Sequence, residues 1–146
     1  MTRLRVQLVL HGAIVLFVGL AAGWPYNLAL RRAWGDEQVR AWALAHSAGV
    51  LCGVMALAVA AVLEHVRLGD RPRAAMVWLF ETGIYAFTIG IWAAPLLAVR
   101  GILPWLSTTD ALVNLTYTVA GATTLGGGAL LVMGAAAAWR GGRTAQ

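Results

Sequence analysis

Charge is scarce in this chain. Of its 146 residues 12% are Asp, Glu, Lys or Arg, and every basic residue is arginine. So little charge beside 60% hydrophobic residues excludes a soluble domain, which could not cover that much apolar surface. A single cysteine, Cys52, excludes an intrachain disulfide and a multi-cysteine metal site. The chain also lacks a glycine-rich phosphate loop and any nucleophile–base–acid arrangement for hydrolysis. Its net charge of +5 calls for no nucleic-acid partner.

What is present is four long apolar runs: about Val6–Leu30, Val39–Leu63, Ala74–Val99 and Ala111–Trp139. Each exceeds the roughly 20 residues that cross a bilayer. The first is too long for a signal-peptide core, and Ala21-Ala22-Gly23 is a weak cleavage signal, so it reads as retained. Residues 1–146 therefore read as a single all-α integral membrane domain. Short loops at Arg31–Gln38, Glu64–Arg73 and Arg100–Asp110 make it an up-down-up-down four-helix bundle. Both termini and the middle loop then share one side with Arg3, Arg5, Arg67, Arg71, Arg73, Arg140 and Arg143. The other side holds Arg31, Arg32, Arg40 and Arg100, and the imbalance puts both termini in the cytoplasm.

Pro104 breaks the third loop, Pro95 is expected to kink the end of the third helix, and Asp110 to cap the fourth. Tryptophans 24, 34, 42, 78, 92, 105 and 139 lie near segment ends, where interfacial belts collect them. The fourth run is rich in small residues, among them Gly121, Gly126, Gly127, Gly128, Gly134 and alanines 135–138. Such residues let membrane helices approach closely, and the chain reads as oligomeric.

Ionisable groups inside lipid are functional hypotheses by default, and depth sorts them at about 1.5 Å per residue. His11 and Glu81 enter from the N-terminal side and reach similar levels, which predicts a polar pair. The alternative is a protonated Glu81 bonded to a backbone carbonyl. His46 enters from the opposite side, on the order of 20 Å away in depth. Its face of the second helix also carries Trp42, Gly49, Gly53, Ala56 and Ala60. Two readings stand side by side: the small strip makes room for something flat, or it serves helix packing beside a hydrogen-bonded histidine. On the third helix, Tyr85, Thr88 and Trp92 follow Glu81 on one polar face, with Trp92 level with His46. Asn27 and Asn114 lie at the same level and are candidates for supporting contacts.

A lone histidine makes a poor zinc site, since no second ligand occurs at i+3 or i+4 and Cys52 points about 120° away. A single imidazole beside a strip of small residues suits haem with one axial histidine. Without Cys-x-x-Cys-His, attachment would be non-covalent, as in haem b.

His11-Gly12 opening the first run, Trp24-x-x-Asn27-Leu28 closing it, and Trp42-x-x-x-His46-Ser47 followed by Cys52-Gly53 resemble the styrene oxide isomerase family. Glu81 fits the carboxylate that family carries near the start of its third helix. The resemblance covers all four runs in order and is strongest through about His11–Leu63. It implies a homotrimer in a bacterial-type inner membrane, binding haem b between subunits. It also implies isomerisation of an aryl epoxide such as styrene oxide to an aldehyde by Meinwald rearrangement. His46 would then be the axial ligand to ferric iron, with Trp42, Gly49 and Gly53 beside the cofactor and Tyr85, Cys52 and Trp92 toward the substrate. Two departures stand out. The family has an asparagine where this chain has Cys52, and its third-helix tyrosine has no clear counterpart; Tyr85 is the only tyrosine on that helix. The other readings are a non-catalytic haem protein, and a small oligomeric transporter using His11, Glu81 and Tyr85 as a relay.

Overall fold

The computed structural model describes residues 3–143 apart from 104 and 106, with the backbone alone at 142 and 143. Pro104 lies outside the described residues. The described chain is all helical: α1 (Arg3–Ala21), α2 (Gly23–Arg31), α3 (Asp36–Val62), α4 (Asp70–Leu96) and α5 (Thr108–Arg143), with a 3-10 turn at Leu63–His65. Four segments are long and apolar enough to cross a membrane: Arg3–Arg31, Asp36–His65, Asp70–Leu96 and Thr108–Gly141. The helices overrun the apolar runs at most of their ends, because polar and acidic residues form their first turns. In α3 those are Asp36 and Glu37, which favour the positive end of the helix dipole.

The first span is not the single helix its apolar run predicts. It divides at Ala22 into α1 and α2, and Pro25 gives the reason. A proline has no N–H for the carbonyl four residues back, here Ala21, and its ring crowds that carbonyl. The backbone still turns helically through Ala22 (φ −62°, ψ −17°), so the span continues with a local break. Pro95 acts later in its helix. α4 ends one residue beyond it, and the Pro95 carbonyl accepts a 2.8 Å hydrogen bond from Gln38 Nε2.

The spans pack as two antiparallel pairs, α1 on α3 and α4 on α5, joined where α4 lies against α3 and α1. Small residues set both seams. A Cβ on Gly12 would stand 3.0 Å from Ala56 Cβ, and one on Gly53 would stand 2.5 Å from Leu16 Cα. Gly83 and Gly90 of α4 make the same close approach to Thr123, Thr124, Thr116 and Tyr117 of α5. α5 packs mainly on α4, and most of its apolar surface is left open, including Leu125, Val132 and Met133. Its start is held by a reciprocal pair. Ser107 Oγ accepts the Asp110 N–H at 3.0 Å and donates to Asp110 Oδ2 at 2.7 Å. Ser107, rather than Asp110, is thus the capping residue, because the helix starts three residues earlier than its apolar run.

Candidate functional site

His46 lies half-buried on the α3 face that meets the broken first span. Its Nδ1 is 3.0 Å from the Gly19 carbonyl oxygen. A carbonyl can only accept, so Nδ1 carries the proton and donates it. The remaining ring nitrogen, Nε2, makes no hydrogen bond and is not sealed inside the chain. Tyr26 of α2 lies nearly parallel to the imidazole, with ring planes 18° apart and centroids 6.4 Å apart.

One turn back along α3, Trp42 is buried and meets Trp92 of α4 edge-to-face, with ring centroids 5.4 Å apart. The two belong to an apolar cluster with Ala22, Ala29, Ala45 and Ile91. Their indole N–H groups are buried without acceptors. An unsatisfied buried donor is costly, on the order of 1–3 kcal/mol. Neither is therefore a belt anchor, whereas Trp24, Trp34, Trp78, Trp105 and Trp139 are exposed as belt residues are.

The small strip on the His46 face has another occupant. Gly49 abuts Gly19, Gly53 abuts Leu16, and Ala56 and Ala60 are fully buried in the core. α1 itself fills the space that a flat group would need. Gly49 and Gly53, expected beside a cofactor, lie in the seam with α1, where a Cβ would strike α1 backbone.

The expected His11–Glu81 pair does not form either. His11 Nδ1 and the Tyr85 hydroxyl share a 2.7 Å hydrogen bond, and Glu81 Oε2 accepts one of 2.8 Å from Gln7 Nε2. Gln7 and His11 are one turn apart on α1, as are Glu81 and Tyr85 on α4. These helices run in the same direction, so the four residues form two rungs and His11 falls one turn past Glu81. Glu81 is buried, with Oε1 unpartnered. This arrangement removes Tyr85 from the His46 site. Tyr85 and Cys52 both pack against the core cluster of Leu8, Val15 and Ile84, whereas Trp92 packs in the cluster beside His46. Of the three residues expected on the substrate side, only Trp92 is brought to that end of the molecule.

Other polar groups prove structural. Thr88 donates to its own helix at Ile84, Ser47 does so at Ala43, and Asn114 Nδ2 holds the Gly101 carbonyl at 2.9 Å. Asn27 is exposed. An open groove of about 650 Å³ between α3, α4 and α5 is lined by Gln38, Leu44, Pro95 and Tyr117, but not by His46. Among the described residues no cluster of three or more His, Cys, Asp or Glu side chains could hold a bare metal ion.

Sequence reasoning missed Gly19, Gly23 and Tyr26 as partners of His46. The signal was Gly23-Trp24-Pro25-Tyr26, where a proline inside an apolar run marks a break that can bring backbone to a neighbour's side chain. Comparison with family models gives one described as styrene oxide isomerase, matching residues 4–137. Comparison with curated proteins and with solved structures gives no match.

Proposed function

The chain belongs to the styrene oxide isomerase family, and from that premise we propose that it is a haem-b-dependent membrane isomerase of hydrophobic aryl epoxides. Family membership itself suggests an epoxide isomerase-like activity in an integral membrane protein. The haem, the substrate and the assembly are the proposal. One observation carries it: Nδ1 of His46 donates to the Gly19 carbonyl, leaving an unpartnered, unsealed Nε2. Metal-bound histidines characteristically carry such a second hydrogen bond, which fixes tautomer and ring direction. The unsatisfied indole N–H groups of Trp42 and Trp92 add donors of the kind that a cofactor carboxylate accepts. The donor set thus fits a non-covalently held haem, with His46 as its ligand.

When bound, ferric haem supplies a Lewis acid for the epoxide oxygen. The chain does the rest. The Gly19 carbonyl keeps the proton on Nδ1 and holds the ring aimed. Trp92, with Trp42 behind it, offers an aromatic face to positive charge developing at a benzylic carbon. Ala22, Ala45 and Ile91 pack with the two indoles, and apolar surroundings of this kind keep out water that would trap that carbon as a diol. Opening the epoxide and moving a hydride to the adjacent carbon gives an aldehyde of unchanged formula, so no oxidant or reductant is consumed. The open nitrogen of His46 and the open surface of α5 leave room for a second copy to complete the site; the trimer follows from the family resemblance, and the cytoplasmic termini from the arginine imbalance.

Purified protein should show a Soret band, lose it in His46→Ala, and convert styrene oxide to phenylacetaldehyde. Unchanged haem content in His46→Ala overturns the ligand assignment. Full haem loading without aldehyde from several aryl epoxides overturns the isomerase reading.

A further inference from the structure

We infer that the break in the first span is a positioning device for His46, with Gly19, Gly23 and Tyr26 as its working parts; the inference rests on the haem reading above. Pro25 ends α1 at Ala21, and the residues on both sides of the break address one imidazole. Gly19, just before it, accepts the Nδ1 proton at 3.0 Å. Gly23, just after it, lies against the ring. A Cβ built there would stand 3.3 Å from both Cε1 and Nδ1, and its three nearest neighbours would all be His46 atoms. Tyr26, one turn on, lies within 18° of parallel to the imidazole.

These contacts govern different freedoms of the ring. The Gly19 carbonyl fixes which nitrogen is protonated and the rotation about the ring bond. Gly23 sets how near α2 the ring can settle, because a Cβ there would already be in tight contact with the ring and a larger side chain would press on it. Tyr26 limits tilt. Gly19, Gly23 and Tyr26 follow one face at i, i+4 and i+7, and at the break no Gly23 N–H occupies the Gly19 carbonyl, which meets His46 instead. The chemical consequence follows from the acceptor. A backbone carbonyl polarises an imidazole less than a carboxylate would, so the ring is a weaker electron donor and leaves a bound metal the stronger Lewis acid.

The test compares haem affinity, Soret position and the ferric electron paramagnetic resonance spectrum across variants. Gly23→Val should weaken haem binding roughly 10- to 100-fold, the range for supporting contacts of a metal ligand, and shift both spectra; Gly23→Ala should do the same to a lesser degree. Tyr26→Ala should shift the spectra, and Tyr26→Phe, which keeps the ring, should restore them. Gly69→Ala is the control, since Gly69 precedes α4 at φ −62° and a Cβ there meets only Pro72 Cδ, at 3.9 Å. If Gly23→Val fails to fold, the Tyr26 pair decides alone. Wild-type affinity and spectra in Gly23→Val and Tyr26→Ala overturn the inference while His46→Ala still loses haem. Haem retained in His46→Ala overturns the underlying reading instead.

Discussion

The two half-buried histidines of this chain differ in what their Nδ1 atoms meet. At one end His11 is matched to a side chain, the Tyr85 hydroxyl, in a ladder whose other rung is Gln7 with Glu81. At the other end His46 is matched to backbone, the Gly19 carbonyl. The difference is chemical. A hydroxyl can donate or accept, so the His11 ring can take either tautomer and still satisfy its partner. A carbonyl permits one tautomer only, and that leaves His46 with a nitrogen whose lone pair is committed to nothing. Two histidines in a membrane thus divide into one tied to a side chain of another helix and one left with an open ring nitrogen.

The strongest way to break this comparison is to remove each ring in turn. His46→Ala should abolish haem binding, whereas His11→Ala should keep haem content and the Soret band while lowering the thermal midpoint. Haem spectra of purified variants decide it, and equal loss in both would erase the distinction.

A second substitution separates His46 from the strip below it. Gly53→Val forces a side chain into Leu16 of α1, and overpacking of this kind costs about 1–3 kcal/mol. Protein that still folds should bind haem with an unchanged Soret position. A shifted spectrum at full stability would return Gly53 to the cofactor's surroundings. The expected outcome is destabilisation alone.

What the sequence made legible follows from the same contrast. Apolar runs located all four spans, and the helical wheel put Trp42, Gly49, Gly53 and Ala56 on one buried face. The wheel could not say what would cover that face, because the partner is chosen by packing between helices and not by periodicity within one. Depth counting failed by one turn for a related reason. The Gln7–Glu81 rung places Arg3 of α1 level with Val77, so α4 extends about 10 Å beyond the start of α1. Apolar runs give each helix its length but not its vertical offset. Pro25 was visible throughout, yet its effect on His46 depends on a contact between spans.

The ladder itself yields a smaller effect. Tyr85→Phe removes the hydroxyl that His11 meets and should cost about 1 kcal/mol, in line with interhelical hydrogen bonds in membranes. Gln7→Leu should cost at least as much, because it leaves Glu81 with neither oxygen partnered. Neither change should alter haem spectra or epoxide turnover. A large loss of turnover in Tyr85→Phe, at unchanged stability, would bring Tyr85 back to the substrate side and collapse the division between the two ends.

The smallest effects belong to the ion pairs that mark those ends. Arg5 binds Glu64 at 2.8 Å beside the His11 ladder, with side chains 25% and 46% exposed. Arg100 binds Glu37 at 2.6 Å near the His46 end, and those side chains are 69% and 65% exposed. Water and salt screen exposed pairs, and the entropy of pinning two long side chains offsets most of the attraction. The better-covered Arg5 should therefore matter more. Arg5→Gln should lower the thermal midpoint slightly and Arg100→Gln should leave it unchanged, with the Arg5 effect shrinking as salt is raised. The reverse order would mean that charge, and not the imidazole's backbone partner, holds the His46 end together.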